Sequence, residues 1–407
     1  MAPHEGLVHL KEYDVKDSNV ELIGSDIDHK VKYNSAATEP AWNDGQVGAQ
    51  PGLHIWRIED FRVVAWPKNQ YGQFYEGDSY IVLYSYTVKD KDGGSADKLG
   101  HEIFFWLGSK TSQDEAGTAA YKTVELDEFL HGAATQHRET QQYPSEEFVA
   151  LFPRLSIRKG GVASGFRHVE EEDPSAKEIT TLLRVFKHPA AGRADSLIVH
   201  EVEPTWQSLD DNDVFILDKG DKIWVWQGTK CSPMEKAKAA QVVHDLTLAK
   251  HIDVEVLSQA EARSKLVVDL LGGKDVEQLS FQAARPLRSS SGQQISETGE
   301  TTIRPKRLLR ISDASGQLRF ELVKENQTIR GSDLDGSDVF IFDTGKKIWV
   351  WEGSQATRSE KASWIQFTQA YIRYVQESAA NSEATVTPVA KVVQGNENPA
   401  FLKAISV

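Results

Sequence analysis

The chain has 407 residues, with 46 Lys plus Arg against 60 Asp plus Glu, a net charge of −14 and an apolar fraction of 40%. Ten Trp and that apolar content exclude wholesale disorder, and the acidic balance argues against a nucleic-acid partner. The longest apolar runs, such as Ile81-Val82-Leu83-Tyr84, are strand-length and far short of a membrane span; a single cysteine, Cys231, and no basic-then-apolar start make the expected compartment the cytosol.

In chain order, residues 1–50 lack a sustained hydrophobic period and read as an extension. A first unit then opens on the strand Leu53-His-Ile-Trp-Arg57, followed by Asp78-Ser-Tyr-Ile-Val-Leu83, a polar loop around Lys89 to Ser95, and the strand Ile103-Phe-Phe-Trp-Leu-Gly108. Ser112 to Leu130 has helical spacing, with Ala116, Ala120 and Val124 on one stripe and Ala119, Leu126 and Leu130 beside it, ending at His131-Gly132. Such a helix must pack on its own sheet, and an exposed rim of it can enter a partner's groove. The acidic run Glu170 to Ser175 closes this unit. A second opens on Leu182-Leu-Arg-Val-Phe186 and continues through Asp213-Val-Phe-Ile-Leu-Asp218 and Ile223-Trp-Val-Trp-Gln-Gly228 to a helix starting at Ser232. After a Ser-, Gly- and Thr-rich run from Ser289 to Thr302, a third opens on Leu308-Leu-Arg-Ile-Ser312. It reaches Asp338-Val-Phe-Ile-Phe-Asp343, Ile348-Trp-Val-Trp-Glu-Gly353 and a helix from Thr357.

These segments are copies of one another. The second and third are offset by 125 residues (338 − 213), and Trp106, Trp226 and Trp351 each stand nine residues before a glutamate, Glu115, Glu235 and Glu360. The first copy differs by a longer loop between its two central strands. Units of this length are domains rather than solenoid repeats, with expected boundaries at 51–170, 178–286 and 305–407 and a linker at 287–304.

An aspartate at a strand start and a glutamate at a helix start are the polar constants of the repeat. Each glutamate also fits a capping box with Ser112, Ser232 or Thr357, and each aspartate a turn leading into a strand. Neither explanation requires the other, yet Asp213 to Glu235 and Asp338 to Glu360 keep the same separation. Two carboxylates brought together repel unless a cation lies between them, and oxygen-only ligation suits calcium rather than zinc. No EF-hand loop is present. Lys159-Gly-Gly-Val-Ala-Ser-Gly165 is followed by Phe166-Arg167 and is no phosphate loop, the twelve His show no zinc spacing, and no Gly-x-Ser-x-Gly elbow occurs. Paired carboxylates can serve a glycosidase, but three copies of one pair argue for repeated binding, since an enzyme needs one site.

Taken together, Gly52-Leu-His-Ile-Trp-Arg57, Tyr71-Gly-x-Phe-Tyr-x-Gly-Asp-Ser-Tyr80, Trp106-Leu-Gly-x-x-x-Ser-Gln-Asp-Glu115, Gln136-His-Arg-Glu139 and Lys159-Gly-Gly-Val-Ala-Ser-Gly-Phe166 resemble the first domain of gelsolin-type actin regulators. The resemblance runs from about residue 45 to 407, in the three-domain severin- and fragmin-like arrangement of the gelsolin/villin family. It implies an α+β fold of three tandem gelsolin-like domains, each a central mixed β-sheet between a long and a short helix. It implies no enzyme, but calcium-dependent severing of actin filaments, barbed-end capping and nucleation in the cytoplasm and cytoskeleton; a capping protein that does not sever is the alternative. The implied calcium sites are Asp78 and Glu115 with the carbonyls of Gly77 and Val162; Asp213 and Glu235 with that of Asn212; and Asp338 and Glu360 with that of Ser337. A further site shared with actin uses Asp127 with the carbonyls of Gly132 and Ala134. The implied actin contacts are Ala116, Ala120, Tyr121, Val124 and Asp127. A phosphoinositide stretch would use Arg154, Arg158, Lys159 and Arg167. Departures from the family pattern are Asn212 and Ser337 in place of Gly77, the absent second-domain disulfide, and a linker acidic ligand for which Glu297 and Glu300 are the candidates.

Overall fold

The computed structural model describes residues 34–88, 98–162, 180–188, 196–248, 252–287, 293–295, 301–303, 305–377 and 387–405. The expected loop at Lys89 to Ser95 lies outside them, as do Arg167, Glu297 and Glu300. The elements of the first unit are a short helix at 34–38 (α1), β1 (Gly52–Glu59), β2 (Arg62–Ala65), β3 (Gln73–Tyr75), β4 (Ser79–Val88), β5 (Lys98–Leu107), α2 (Gln113–Phe129), β6 (Ala134–Thr140), α3 (Glu146–Ala150) and β7 (Leu155–Arg158). The second has β8 (Thr181–Lys187), β9 (Leu197–Val202), β10 (Val214–Asp218), β11 (Lys222–Gln227), α4 (Pro233–Thr247), β12 (Asp253–Ser258) and α5 (Lys265–Leu270). A small ladder of β13 (Gln293–Ile295) and β14 (Thr301–Ile303) precedes the third, which has β15 (Arg307–Ser312), β16 (Arg319–Glu325), β17 (Val339–Asp343), β18 (Ile348–Glu352), α6 (Arg358–Glu377), β19 (Val389–Val393) and α7 (Pro399–Ala404).

The three units share one topology. Their strand orders are β2-β1-β4-β5-β6, β9-β8-β10-β11-β12 and β16-β15-β17-β18-β19. In each, the fifth strand runs parallel to the fourth, and the long helix α2, α4 or α6 makes the crossover that a parallel neighbour requires. The strands of a sheet covered on both faces read as unbroken apolar runs, and their residues divide by parity. Val214 and Ile216 pack with Ala239 and Val242 of α4, whereas Phe215 and Leu217 pack with Val267 and Val268 of α5. Likewise Val339 and Ile341 face Phe367 and Tyr371 of α6, and Phe340 and Phe342 face Phe401 of α7. β-Branched residues thus go to the long helix, and aromatics with Leu217 to the short one.

Residues 34–50 of the extension are not separate from the first unit. Trp42, fully buried, stacks edge-on with Trp56 at 4.9 Å, and Ala36 and Val47 join the same core as Leu126 and Leu130. A lone tryptophan has no period to announce it, which is why residues 34–50 read as a tail in the sequence.

The units are also joined to each other. β19 pairs antiparallel with β6, Ala390 opposite His137, so the first and third sheets form one sheet of ten strands. β7 and β3 extend the second sheet through β9, and Phe186, Ile198 and Leu287 share a core with Phe74, Phe148 and Phe152. Among the described residues, no helix is long and apolar enough to cross a membrane.

Candidate metal centres

Each aspartate of the repeat is held by the same backbone frame. Its N–H donates to a carbonyl three residues back (Tyr75, Asp210, Asp335), and its own carbonyl accepts from Gly108, Gly228 or Gly353 at 3.0 to 3.1 Å. These glycines close strands β5, β11 and β18. A Cβ on any of them would drive into the carbonyl of Glu76, Asp211 or Gly336, so the Trp-x-Gly of the repeat is a close-approach requirement. The frame carries Asp78, Asp213 and Asp338, all buried, to the N-terminus of the long helix where Glu115, Glu235 and Glu360 lie.

In the first unit, Asp78 Oδ1 accepts from the Val162 N–H at 2.7 Å, and Oδ2 accepts from the Tyr80 hydroxyl at 3.1 Å and from Arg57 Nη1 at 3.4 Å. Val162 therefore reaches the site, presenting its N–H to the carboxylate. Glu115 Oε2 accepts from the Thr111 hydroxyl at 3.1 Å, while Oε1 is buried with no hydrogen-bond partner. Burial raises the pKa of both carboxyls above their ordinary values, and the charge of Asp78 raises that of Glu115 further. An orphaned carboxylate oxygen beside a second buried carboxylate is a donor set short of positive charge. It fits a hard cation.

The second unit is different. Asp213 Oδ2 accepts from Arg184 through Nε at 2.7 Å and Nη2 at 2.6 Å, and Oδ1 accepts from Arg285 at 3.4 Å. Glu235 completes a capping box: one oxygen accepts from the Ser232 N–H and hydroxyl at 2.7 and 2.9 Å, the other from the Lys187 N–H at 3.1 Å. Asn212 uses its N–H and side chain on Asp210 and Asp211. A guanidinium thus stands where the sequence reading expects a cation.

In the third unit, Asp338 is 3.8 Å from Arg310, whose side chain is held by Glu321 at 3.2 Å. Glu360 accepts from the Thr357 and Asp313 N–H groups, both at 2.8 Å. Burial, Asp313 and Asp338 all push its carboxyl up, and the nearest guanidinium, Arg310, comes no closer than 3.8 Å to Asp338. The Ser337 N–H closes onto the Asp335 side chain at 3.0 Å. Among the described residues, no three His, Cys, Asp or Glu gather to hold an ion by side chains alone. Any cation here must draw on backbone oxygens.

The repeated arginines are the site residues that sequence comparison missed. Arg57, Arg184 and Arg310 pair in register with Tyr80, Phe215 and Phe340, each two residues past its aspartate. Aligning the first strands by their leading leucines shifts Arg57 by two places and hides the match; only sheet register restores it.

Asp127 at the end of α2 accepts from the Ala134 N–H at 3.0 Å and from Gln136 Nε2 at 2.6 Å, and Gly132 donates to its carbonyl at 2.8 Å. Its carboxyl is pushed up to about 6 by burial, against the opposing field of Lys391 from the third unit. Along α2, Glu115, Ala119, Thr123 and Leu126 form the buried seam, whereas Ala116, Ala120 and Val124 are half-buried and Tyr121 is 50% exposed. The rim named from the sequence is thus accessible.

The basic stretch is paired off. Arg154 bonds Asp245, Arg158 bonds Glu201 at 2.8 Å, and Lys159 bonds Glu203 at 2.6 Å, all carboxylates of the second unit. Arg154, Arg158 and Lys159 of the expected phosphoinositide stretch thus form a seam between units.

A family model for the gelsolin repeat matches residues 61–149, 196–263 and 327–402. The chain belongs to the gelsolin family. It is 39% identical to gelsolin-like protein 1 of Lumbricus terrestris, over 90% of this chain and 92% of the relative. It is 34% identical to severin of Echinococcus granulosus, over 98% and 99%. Against gelsolin of Drosophila melanogaster the identity is also 34%, over 87% of this chain but 42% of the longer relative. The gelsolin-repeat fold inferred from the motifs is thereby established, with three repeats, as is membership in a family of non-enzymatic regulators.

Proposed function

We propose that this gelsolin-family chain severs actin filaments and caps their barbed ends under calcium control, with nucleation as the accompanying activity. The reading draws on the likeness to severin over nearly the whole of both chains. The geometric observation that carries it is the accessible rim of α2, with Tyr121 half-exposed amid Ala116, Ala120 and Val124, next to Asp127. Small residues flanking one aromatic suit insertion into an apolar cleft.

In this reading α2 wedges into the cleft of one actin subunit, and the second unit grips the filament side. Asp78 with Glu115, and Asp338 with Glu360, are the residues that would hold calcium. When bound, calcium supplies the positive charge that these buried carboxylates lack. Asp127 is masked by β19, where Lys391 lies opposite Gln136. Separating β6 from β19 exposes it, and the three domains on one chain then act at high effective concentration on the same filament. The test is the decay of filament fluorescence after dilution, with calcium and with chelator, for the wild type and Asp78→Ala. The variant should need more calcium for fast decay. An unchanged calcium response removes the first-unit site from the mechanism.

A further inference from the structure

We propose that Arg184 is a built-in cation of the second domain, so that its Asp213–Glu235 pair takes no calcium and calcium control resides in the other two domains. The proposal rests on the calcium reading of those two domains and concerns what sets the second apart. The three register-equivalent arginines have different company. Arg57 is committed to Glu59, through Nε at 2.7 Å and Nη2 at 2.5 Å, and touches Asp78 only at 3.4 Å. Arg310 is committed to Glu321, is 41% exposed and stays 3.8 Å from Asp338. Both have a carboxylate of their own nearby and leave the repeat's aspartate largely uncompensated.

Arg184 has none. It is 1% exposed, and two of its nitrogens converge on one oxygen of Asp213. Its remaining donors go to the carbonyls of Ala284 at 2.8 Å and Ala283 at 3.3 Å, with Asp210 at 3.8 Å. Its plane lies against Phe186 and Phe215, each 5.6 Å away. The next residue along that segment, Arg285, brings a second guanidinium to the other oxygen of Asp213 and donates to the Lys187 carbonyl. Glu235 has both oxygens satisfied, as Glu360 does, while Glu115 has one orphaned, so it is the two arginines that set the second domain apart. A divalent ion at Asp213 would face two fixed positive charges, one of them buried and bonded to Asp213 through two nitrogens. The same bonds pin 283–285 to the sheet, so the second domain holds its shape at any calcium level.

The experiment is calorimetric titration of calcium chloride into the full chain, comparing wild type, Glu115→Gln, Glu235→Gln and Arg184→Gln/Arg285→Gln. Glutamine keeps the acceptor toward Ser232 but turns its amide onto the Lys187 N–H, so the unfolding midpoint of that variant is measured alongside to show that it folds. Glu115→Gln should lose one site, Glu235→Gln should keep the wild-type stoichiometry, and the double arginine variant should gain one. Loss of a site in Glu235→Gln overturns the proposal. If the wild type takes up no calcium at all, the calcium reading of the other domains falls. Thermal unfolding in chelator then still decides the role of Arg184. Asp213→Asn and Arg184→Gln should each lower the midpoint by several degrees, and unchanged midpoints would overturn it.

Discussion

Gly228 and its counterparts Gly108 and Gly353 show how little freedom the repeat leaves at single residues. The carbonyl packed against each is that of the residue two before the site aspartate, so a side chain there pushes the aspartate's strand off the sheet. Gly228→Ala should cost about 1–3 kcal/mol of stability. Gly117→Ala, in mid-helix with open space around it, should instead gain about 0.5–1 kcal/mol. Chemical denaturation of both variants checks the contrast. Asp127 makes a pH prediction. Its folded value of about 6 lies above the ordinary 3.8, so the stability it contributes is complete below about pH 4 and is lost as pH rises through 6. In chelator, wild type should lose on the order of 3 kcal/mol relative to Asp127→Asn between pH 4 and pH 7. Equal pH slopes would contradict the burial argument. At this scale the aspartates and glutamates were legible because they recur at fixed spacing. The arginines were not, because their equivalence depends on strand pairing rather than on distance along the chain.

Among elements, the helix α2 was the most legible. The sequence reading placed it from Ser112 to Leu130 with a glycine stop, and Ser112 indeed caps its N-terminus while Leu130 follows its last turn. The stripe was less well read. Thr123 and Glu115 lie in the buried seam, and the apolar stripe of Ala116, Ala120 and Val124 lies to one side. Two of the buried seam positions are polar, so hydrophobicity alone points to the wrong face. That offset leaves the apolar rim for a partner. Tyr121→Ala should therefore weaken binding to actin monomers by about 10- to 100-fold, the cost of a central aromatic contact, without moving the unfolding midpoint. A loss of stability of similar size would mean that Tyr121 packs within the chain. The strands were legible as runs and illegible as faces, since a sheet buried on both sides has no polar alternation to orient it.

Across the whole molecule, the joining of domains left no mark in the sequence. β6 and β19 are more than 250 residues apart (389 − 134), and neither Gln136-His-Arg nor Val-Ala-Lys391 announces the other. Charge reinforces the ladder. Lys347 of the third domain reaches into the first, 3.1 Å from His137 Nδ1 and 3.5 Å from Glu147, and its ammonium lies over Trp349. His137 is also 2.9 Å from Glu102, and Glu139, pushed up to about 7 by burial, feels Lys347 as its main opposing charge. Removing the lysine leaves buried carboxylates without their cation, which disfavours the closed arrangement. Lys347→Ala should lower the calcium concentration needed for fast filament decay and enlarge the radius of gyration in chelator. An unchanged radius would show that the backbone ladder alone holds the domains.

Imaging surface-tethered fluorescent filaments one by one tests the central claim. With calcium, breaks should appear along filament interiors, and the number of filaments should rise before total length falls. With chelator, few breaks should form. Filaments that keep their number and shorten only from their ends with calcium present would contradict severing and leave a capping protein.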